Sequence, residues 1–147
     1  MRRPAGFTLV ELIVVMAILA AIVALAAPSF SRTVASARLR AGATEVRATL
    51  ARARALAVAD GRTRSVVFHL DNGAYGLDND AALRTLPDPV RWEALRILGE
   101  RKERGGARVA FFPDGTAEEA EVTVVLPDGG RIRVTVDPLT GIVEAGA

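Results

Sequence analysis

Apolar and polar positions divide the chain into three stretches. Leu12 to Ala27 (LIVVMAILAAIVALAA) is an uncharged run of sixteen residues, and counted from Phe7 the segment is 21 residues long with a single charge at Glu11. At about 1.5 Å rise per residue a helix of that length measures roughly 31 Å, close to the ~30 Å hydrocarbon thickness of a bilayer. Beyond it the apolar residues become periodic. Leu39, Ala43, Val46, Leu50, Ala53 and Ala57 recur in steps of four and three, which predicts one buried stripe along an amphipathic helix. The stripe holds few large side chains and is expected to pack closely against a sheet. Pro28 falls between the two patterns, where a kink or a local loss of helix is expected.

After Asp60-Gly61, a helix stop, the period shortens to two. Strands are predicted over residues 64–70, 74–77, 90–98, 107–112, 121–126 and 131–136. Asp71-Asn72-Gly73 reads as a hairpin turn, and residues 78–89 as a polar stretch. Pro113-Asp114-Gly115, Pro127-Asp128-Gly129 and Asp137-Pro138 with Gly141 supply turn chemistry at strand ends. The expected fold class is therefore α+β: a long N-terminal helix, transmembrane in its first half, packed on a small antiparallel β-sheet domain.

Composition narrows the chemistry. The 147 residues leave room for one ordinary domain after the apolar segment, and half of them are hydrophobic, which excludes a disordered tail protein. The absence of cysteine removes disulfides, thiolate-bound zinc, iron–sulfur clusters and a thiol nucleophile together. His69 is the only histidine and lies in an apparent strand with no nucleophile motif nearby. Asp78, Asn79 and Asp80 offer oxygen atoms but lack EF-hand spacing. Trp92, Tyr75 and Phe111 read as core or interface residues. No catalytic residue, metal site or cofactor is expected.

Arg2 and Arg3 precede the apolar segment, so the positive-inside rule puts the N-terminus in the cytoplasm and everything after Pro28 across the membrane. Charge and hydropathy alone leave a secretory signal peptide or a simple signal anchor open. Glu11 weighs against both, because a carboxylate deep in the bilayer costs about 2.5–3.5 kcal/mol unless a partner is supplied. Pro28-Ser29-Phe30 also lacks the small-residue pattern of a cleavage site.

Gly6-Phe7-Thr8-Leu9-Val10-Glu11 and the apolar run after it closely resemble the class III signal of type IV prepilins and type II secretion pseudopilins. The resemblance implies that prepilin peptidase cuts between Gly6 and Phe7 and that the new amino group of Phe7 is N-methylated. It also implies that the helix is kept as an anchor and becomes the packing core of a filament. Glu11 would pair with that amino group or with a neighbouring subunit's during assembly. The tail FFPDGTAEEAEVTVVLPDGGRIRVTVDPLTGIVEA resembles the H-type minor pseudopilins, a GspH/FimT-like family, over about residues 109–144. The implied divisions are a leader over 1–6, a transmembrane and filament-core helix over 7–28, an amphipathic helix over 29–60, and a β-rich periplasmic domain over 61–147. The implied function is that of a minor pseudopilin in the type II secretion pseudopilus, single-pass in the inner membrane. A minor pilin of a type IV pilus, serving adhesion, motility or DNA uptake, is the alternative. The implied partners are other pseudopilins or pilins through the N-terminal helix, prepilin peptidase, the inner-membrane assembly platform and membrane lipid.

Charge adds one further feature. Arg32, Arg38, Arg40, Arg47, Arg52 and Arg54 face only Glu45 within the second helical stretch. That excess suits anionic lipid, an acidic partner or nucleic acid, or else a solvated face. Between Glu100 and Arg104 the signs interleave, which weakens phosphate binding and suits a solvated hairpin loop, so nucleic acid is not favoured as a partner. The formal net charge of +2 resides in the leader arginines. Without them, residues 7–59 hold six bases and two acids, and residues 60–147 hold eleven bases and fifteen acids. A basic helix beneath an acidic sheet domain is a polarity suited to contacts between subunits.

Overall fold

The structure, a computed structural model, describes residues 8–146 and gives only the backbone for 24–31. The chain divides into two compact units, Met1–Val34 and Ala35–Ala147. One helix, α1 (Leu9–Asp60), supplies all the described secondary structure of the first unit and the opening element of the second. It is a single element through Pro28, where the sequence predicted a kink or a loss of helix. A proline removes one hydrogen bond, and the alanines before it are strong enough helix formers for the element to continue. Among the described residues no helix is long and apolar enough to cross a membrane. The side chains of 24–31 are outside the description, so the expected span over 7–28 lies partly outside it as well.

In the second unit the stripe read from the sequence is the spine of the core. Leu39, Ala43, Val46, Leu50, Ala53 and Ala57 are all buried, the last four with no exposed surface. Thr49 is buried beside them and satisfies its hydroxyl by donating to the Glu45 carbonyl at 2.9 Å. The helix ends at Asp60, and Gly61 takes the left-handed conformation that stops it.

Nine strands follow: β1 (Arg64–His69), β2 (Ala74–Leu77), β3 (Arg84–Thr85), β4 (Arg91–Ile97), β5 (Glu100–Lys102), β6 (Gly106–Phe111), β7 (Ala120–Val125), β8 (Arg131–Val136) and β9 (Val143–Gly146). The single sheet expected from the sequence is two sheets, with orders β3-β2-β1-β6 and β5-β4-β7-β8-β9. All their pairings are antiparallel. Nine twisted strands in one layer would curl away from a single helical stripe, and dividing them lets both layers reach it. The chain changes layer three times, between β3 and β4, between β5 and β6, and between β6 and β7; at the second crossing the Leu70 amide donates to the Gly105 carbonyl at 2.9 Å.

Register puts the apolar rows inward. Phe68 lies opposite both Tyr75 and Ala107, and Val122 lies opposite both Leu95 and Val134. An aromatic trio joins the layers: Trp92 of β4 meets Phe68 and Tyr75 edge-on, each at 5.5 Å between centroids. The expected assignment of Tyr75 and Phe111 to the core agrees with their full burial, and Trp92 is partly buried against that core. Three strands differ from the sequence reading. β3 lies within the stretch taken as polar, β5 within the stretch taken as a solvated loop, and β9 beyond the last strand expected. All three are short edge strands whose side chains are mostly exposed, so no apolar alternation marks them.

Candidate assembly site

The two ends of the biochemistry expected at the N-terminus fall differently. Gly6 and Phe7, the expected cleavage and methylation positions, lie outside the described residues. Glu11 lies inside them, in the first turn of α1, with its side chain exposed. Its backbone amide donates to Thr8 Oγ1 at 3.2 Å, and the Leu12 amide donates to the Thr8 carbonyl at 3.2 Å. Thr8 is thus the helix N-cap and Glu11 its third helical residue, the T-x-x-E pattern of a capping box. The sequence reading assigned Glu11 to assembly and overlooked this local role, although the spacing of Thr8 and Glu11 was its signal. A carboxylate in the first turn also meets the positive end of the helix dipole.

From Leu9 to Val23 the helix is apolar on every face. Its large side chains are exposed by between 44% at Val15 and 75% at Leu9. Covering one such side chain is worth about 1.5–3 kcal/mol, so this surface favours any apolar phase or partner that encloses it. Ala17 and Ala21, exposed one turn apart, give a strip along which a second helix backbone can approach closely. Among the described residues of the stretch, Thr8 and Glu11 supply the polar side chains at its start, and apolar side chains make up the rest. Its chemistry is association.

The second unit spends part of its basic helix on itself. Arg54 Nε donates to the Thr140 carbonyl at 2.8 Å and to the Gly115 carbonyl at 3.3 Å, fastening two of the predicted turns to α1. Gly141 is required beside this clasp: it has φ +62, and a Cβ there would collide with the Gly115 carbonyl oxygen and lie 2.8 Å from Arg54 Nε. Arg38 Nη1 donates to the Asp88 carbonyl at 2.7 Å. Two of the six helix arginines therefore hold loops, which the charge count could not distinguish from a binding face. Glu45, the lone acid, accepts from the Tyr75 hydroxyl at 3.4 Å. Burial, and then the Glu45 charge, push that phenol up to about 12. Tyr75 is accordingly a neutral donor throughout the physiological range.

The remaining sequence candidates do not converge. His69 is exposed at the end of β1, and Asp78, Asn79 and Asp80 are exposed in the loop after β2. Among the described residues no group of histidine, cysteine or carboxylate side chains is placed to hold a metal ion. Asp137 and Asp114 do turn work: hydrogen bonds from the Thr140 amide and hydroxyl depress the Asp137 carboxyl, and those from the Thr116 hydroxyl and amide depress Asp114.

Residues 1–27 match the family model for the prokaryotic N-terminal methylation motif, and residues 42–140 match that for type II transport protein GspH. The chain is 28% identical to type II secretion system protein H of Xanthomonas campestris pv. campestris over 152 aligned residues, covering 99% of this chain and 85% of that protein. The minor pseudopilin EpsH from the type 2 secretion system of Vibrio cholerae is similar in fold. It aligns with a TM-score of 0.56 at 17% identity, covering 75% of this chain and 97% of EpsH.

Proposed function

We propose that this chain, which belongs to the type II transport protein GspH family, is a minor pseudopilin of type II secretion whose α1 stretch from Leu9 to Val23 is both its membrane anchor and its filament contact. The carrying observation is that this stretch is apolar and exposed on all faces while beginning at a Thr8–Glu11 cap. The family and the N-terminal methylation motif imply membrane anchoring and a periplasmic filament. The finer reading is a single pass through the inner membrane after cleavage between Gly6 and Phe7, with a methylated Phe7 amino group. Glu11 then has two tasks: it sits at the capping position within its own helix, and it offers a carboxylate to the terminal cation of Phe7 or of a neighbour. One buried charge is costly in an apolar phase, and a pair is tolerated. Other pseudopilins, prepilin peptidase, the assembly platform and lipid are the partners this reading supplies.

Mass spectrometry of the mature chain tests the first part. A start at methylated Phe7 is expected; an intact Met1 or a cut after Ala27 overturns the reading. Glu11→Ala should leave membrane insertion intact and impair incorporation into the filament, and normal incorporation would remove the assembly role of that carboxylate. The type IV pilus alternative is not favoured, because the matching family and the curated relative are both named for type II transport.

A further inference from the structure

The whole chain holds two side-chain amides, Asn72 and Asn79, and no glutamine. Both are exposed, and the fold treats them differently. An asparagine is lost when the backbone nitrogen of the next residue attacks its side-chain carbonyl carbon, so its reactivity turns on that neighbouring amide. Asn79 is followed by Asp80, whose amide is already donated to the Leu77 carbonyl at 3.1 Å and whose carboxylate disfavours an amide anion. Asn72 is followed by Gly73, which has no side chain to hinder the attack. Among the described residues the Gly73 amide donates no hydrogen bond.

The turn also shapes the electrophile. The Ala74 amide donates to Asn72 Oδ1 at 3.0 Å, an Asx turn that folds the side-chain carbonyl back along the Asn72–Gly73 peptide. The same donor faces the oxygen on which negative charge develops in the tetrahedral intermediate, so it stabilises that intermediate more than the starting amide. Gly73 has φ +74, which glycine holds without strain.

We propose that Asn72 is a site of spontaneous deamidation in the folded chain, placed where the modification loosens the join between the two sheets. The Gly73 nitrogen bonds to Asn72 Cγ, the Cγ–Nδ2 bond breaks, and the side-chain nitrogen leaves as ammonia with the proton given up by Gly73. Water then opens the resulting succinimide at one of its two C–N bonds. Opening at one leaves aspartate. Opening at the other leaves isoaspartate, in which the main chain runs through the former side chain and is longer by one carbon. Three contacts of this turn depend on its length. The Asp71 carboxylate accepts from the Gly105 amide at 3.1 and 3.2 Å, the Leu70 amide donates to the Gly105 carbonyl at 2.9 Å, and the Gly73 carbonyl accepts from the Leu86 amide at 3.1 Å. Gly105 lies on the passage from β5 to β6 and Leu86 on that from β3 to β4, so this one turn ties two of the three layer crossings. The inference goes beyond the filament reading and is independent of it.

The full-length chain in detergent, aged in mildly alkaline buffer, is digested with trypsin and chymotrypsin and read by tandem mass spectrometry. The fragment holding Asn72 should gain the mass difference between a hydroxyl and an amino group and split into two chromatographic forms, while Asn79 stays intact. Asn72→Ser should lose the modification altogether. Asp80→Gly gives Asn79 the same following residue, and Asn79 should still react more slowly than Asn72 because its neighbour's amide is engaged. Equal rates in that variant overturn the proposal, and so does modification of Asn72 that appears only after unfolding. Hydrogen exchange reads the second part. The amides of Leu70, Leu86 and Gly105 should lose protection in the isoaspartate form and keep it in freshly made Asn72→Asp, which adds the charge without lengthening the chain. Full protection in the isoaspartate form overturns the loosening of the join.

Discussion

Two stretches of α1 share one secondary structure and differ in what encloses them. Between Leu39 and Ala57 six apolar residues form a single stripe, and none is more than 5% exposed. Between Leu9 and Val23 apolar residues occupy every face, and none is buried. The stripe finds its partner in strands of the same chain, so that stretch is stabilised by folding. The continuous apolar surface is exposed on every face among the described residues, and such a surface gains most from an apolar phase or a partner that encloses it. Periodicity, more than hydrophobicity, therefore decides whether a helix is completed by its fold or by its assembly.

Leucine truncation separates the two stretches most sharply. Leu50→Ala is expected to cost about 3 kcal/mol, because a fully buried side chain leaves a cavity against two sheets. Leu19→Ala is expected to stay within about 0.5 kcal/mol in the same assay. Thermal unfolding of the detergent-solubilised full chain, followed by near-ultraviolet circular dichroism, measures both; equal losses would break the comparison. The second effect in size is Gly141→Ala, at about 2 kcal/mol, since the added methyl collides with the Gly115 carbonyl oxygen and displaces the Arg54 clasp. Its signature in that melt should be matched by Arg54→Met, which loses the two donated bonds and keeps most of the stem.

Thr8→Ala acts on the other stretch and should cost about 1 kcal/mol, confined to the first turn. Hydrogen exchange of the Glu11 amide in micelles measures it; Thr8→Ser should retain protection. The smallest effect is the acid limb of stability. Asp137 accepts from the Leu139 amide at 3.0 Å and from the Thr140 amide and hydroxyl at 2.8 Å each, which lowers its folded-state pKa. Its contribution is complete above the ordinary aspartate value of about 4 and is lost as pH falls through the lower folded value. Asp137→Asn should flatten the pH dependence of the melt there and leave Leu9–Val23 unchanged.

Much of this was legible from residue order. The stripe at Leu39 to Ala57, the stop at Asp60-Gly61 and the hairpin at Asp71-Asn72-Gly73 are local signals, and the structure keeps each of them. Three edge strands were not legible, because Arg84–Thr85, Glu100–Lys102 and Val143–Gly146 pair through backbone groups and expose most of their side chains. The division into two sheets was equally hidden, since it follows from which strands meet across the core and not from any one strand's pattern. At the N-terminus Thr8 and Glu11 carried a readable cap that the more specific motif around them obscured. The tasks of Arg38 and Arg54 depend on carbonyls 50 and 86 residues further along, beyond the reach of any window.

That last separation sets an order of events. Synthesis delivers α1 first, at about 5–20 residues per second, and Arg54 then waits for the carbonyls of Gly115 and Thr140. Until the final turn arrives, the strands already made can cover the stripe, but Arg54 lacks the Thr140 carbonyl that receives its shorter bond. A chain that stops a few residues short of Thr140 would keep the Gly115 bond but lose the shorter Arg54 bond and the edge strand β9, and completeness of the C-terminus is in this sense what the clasp reads.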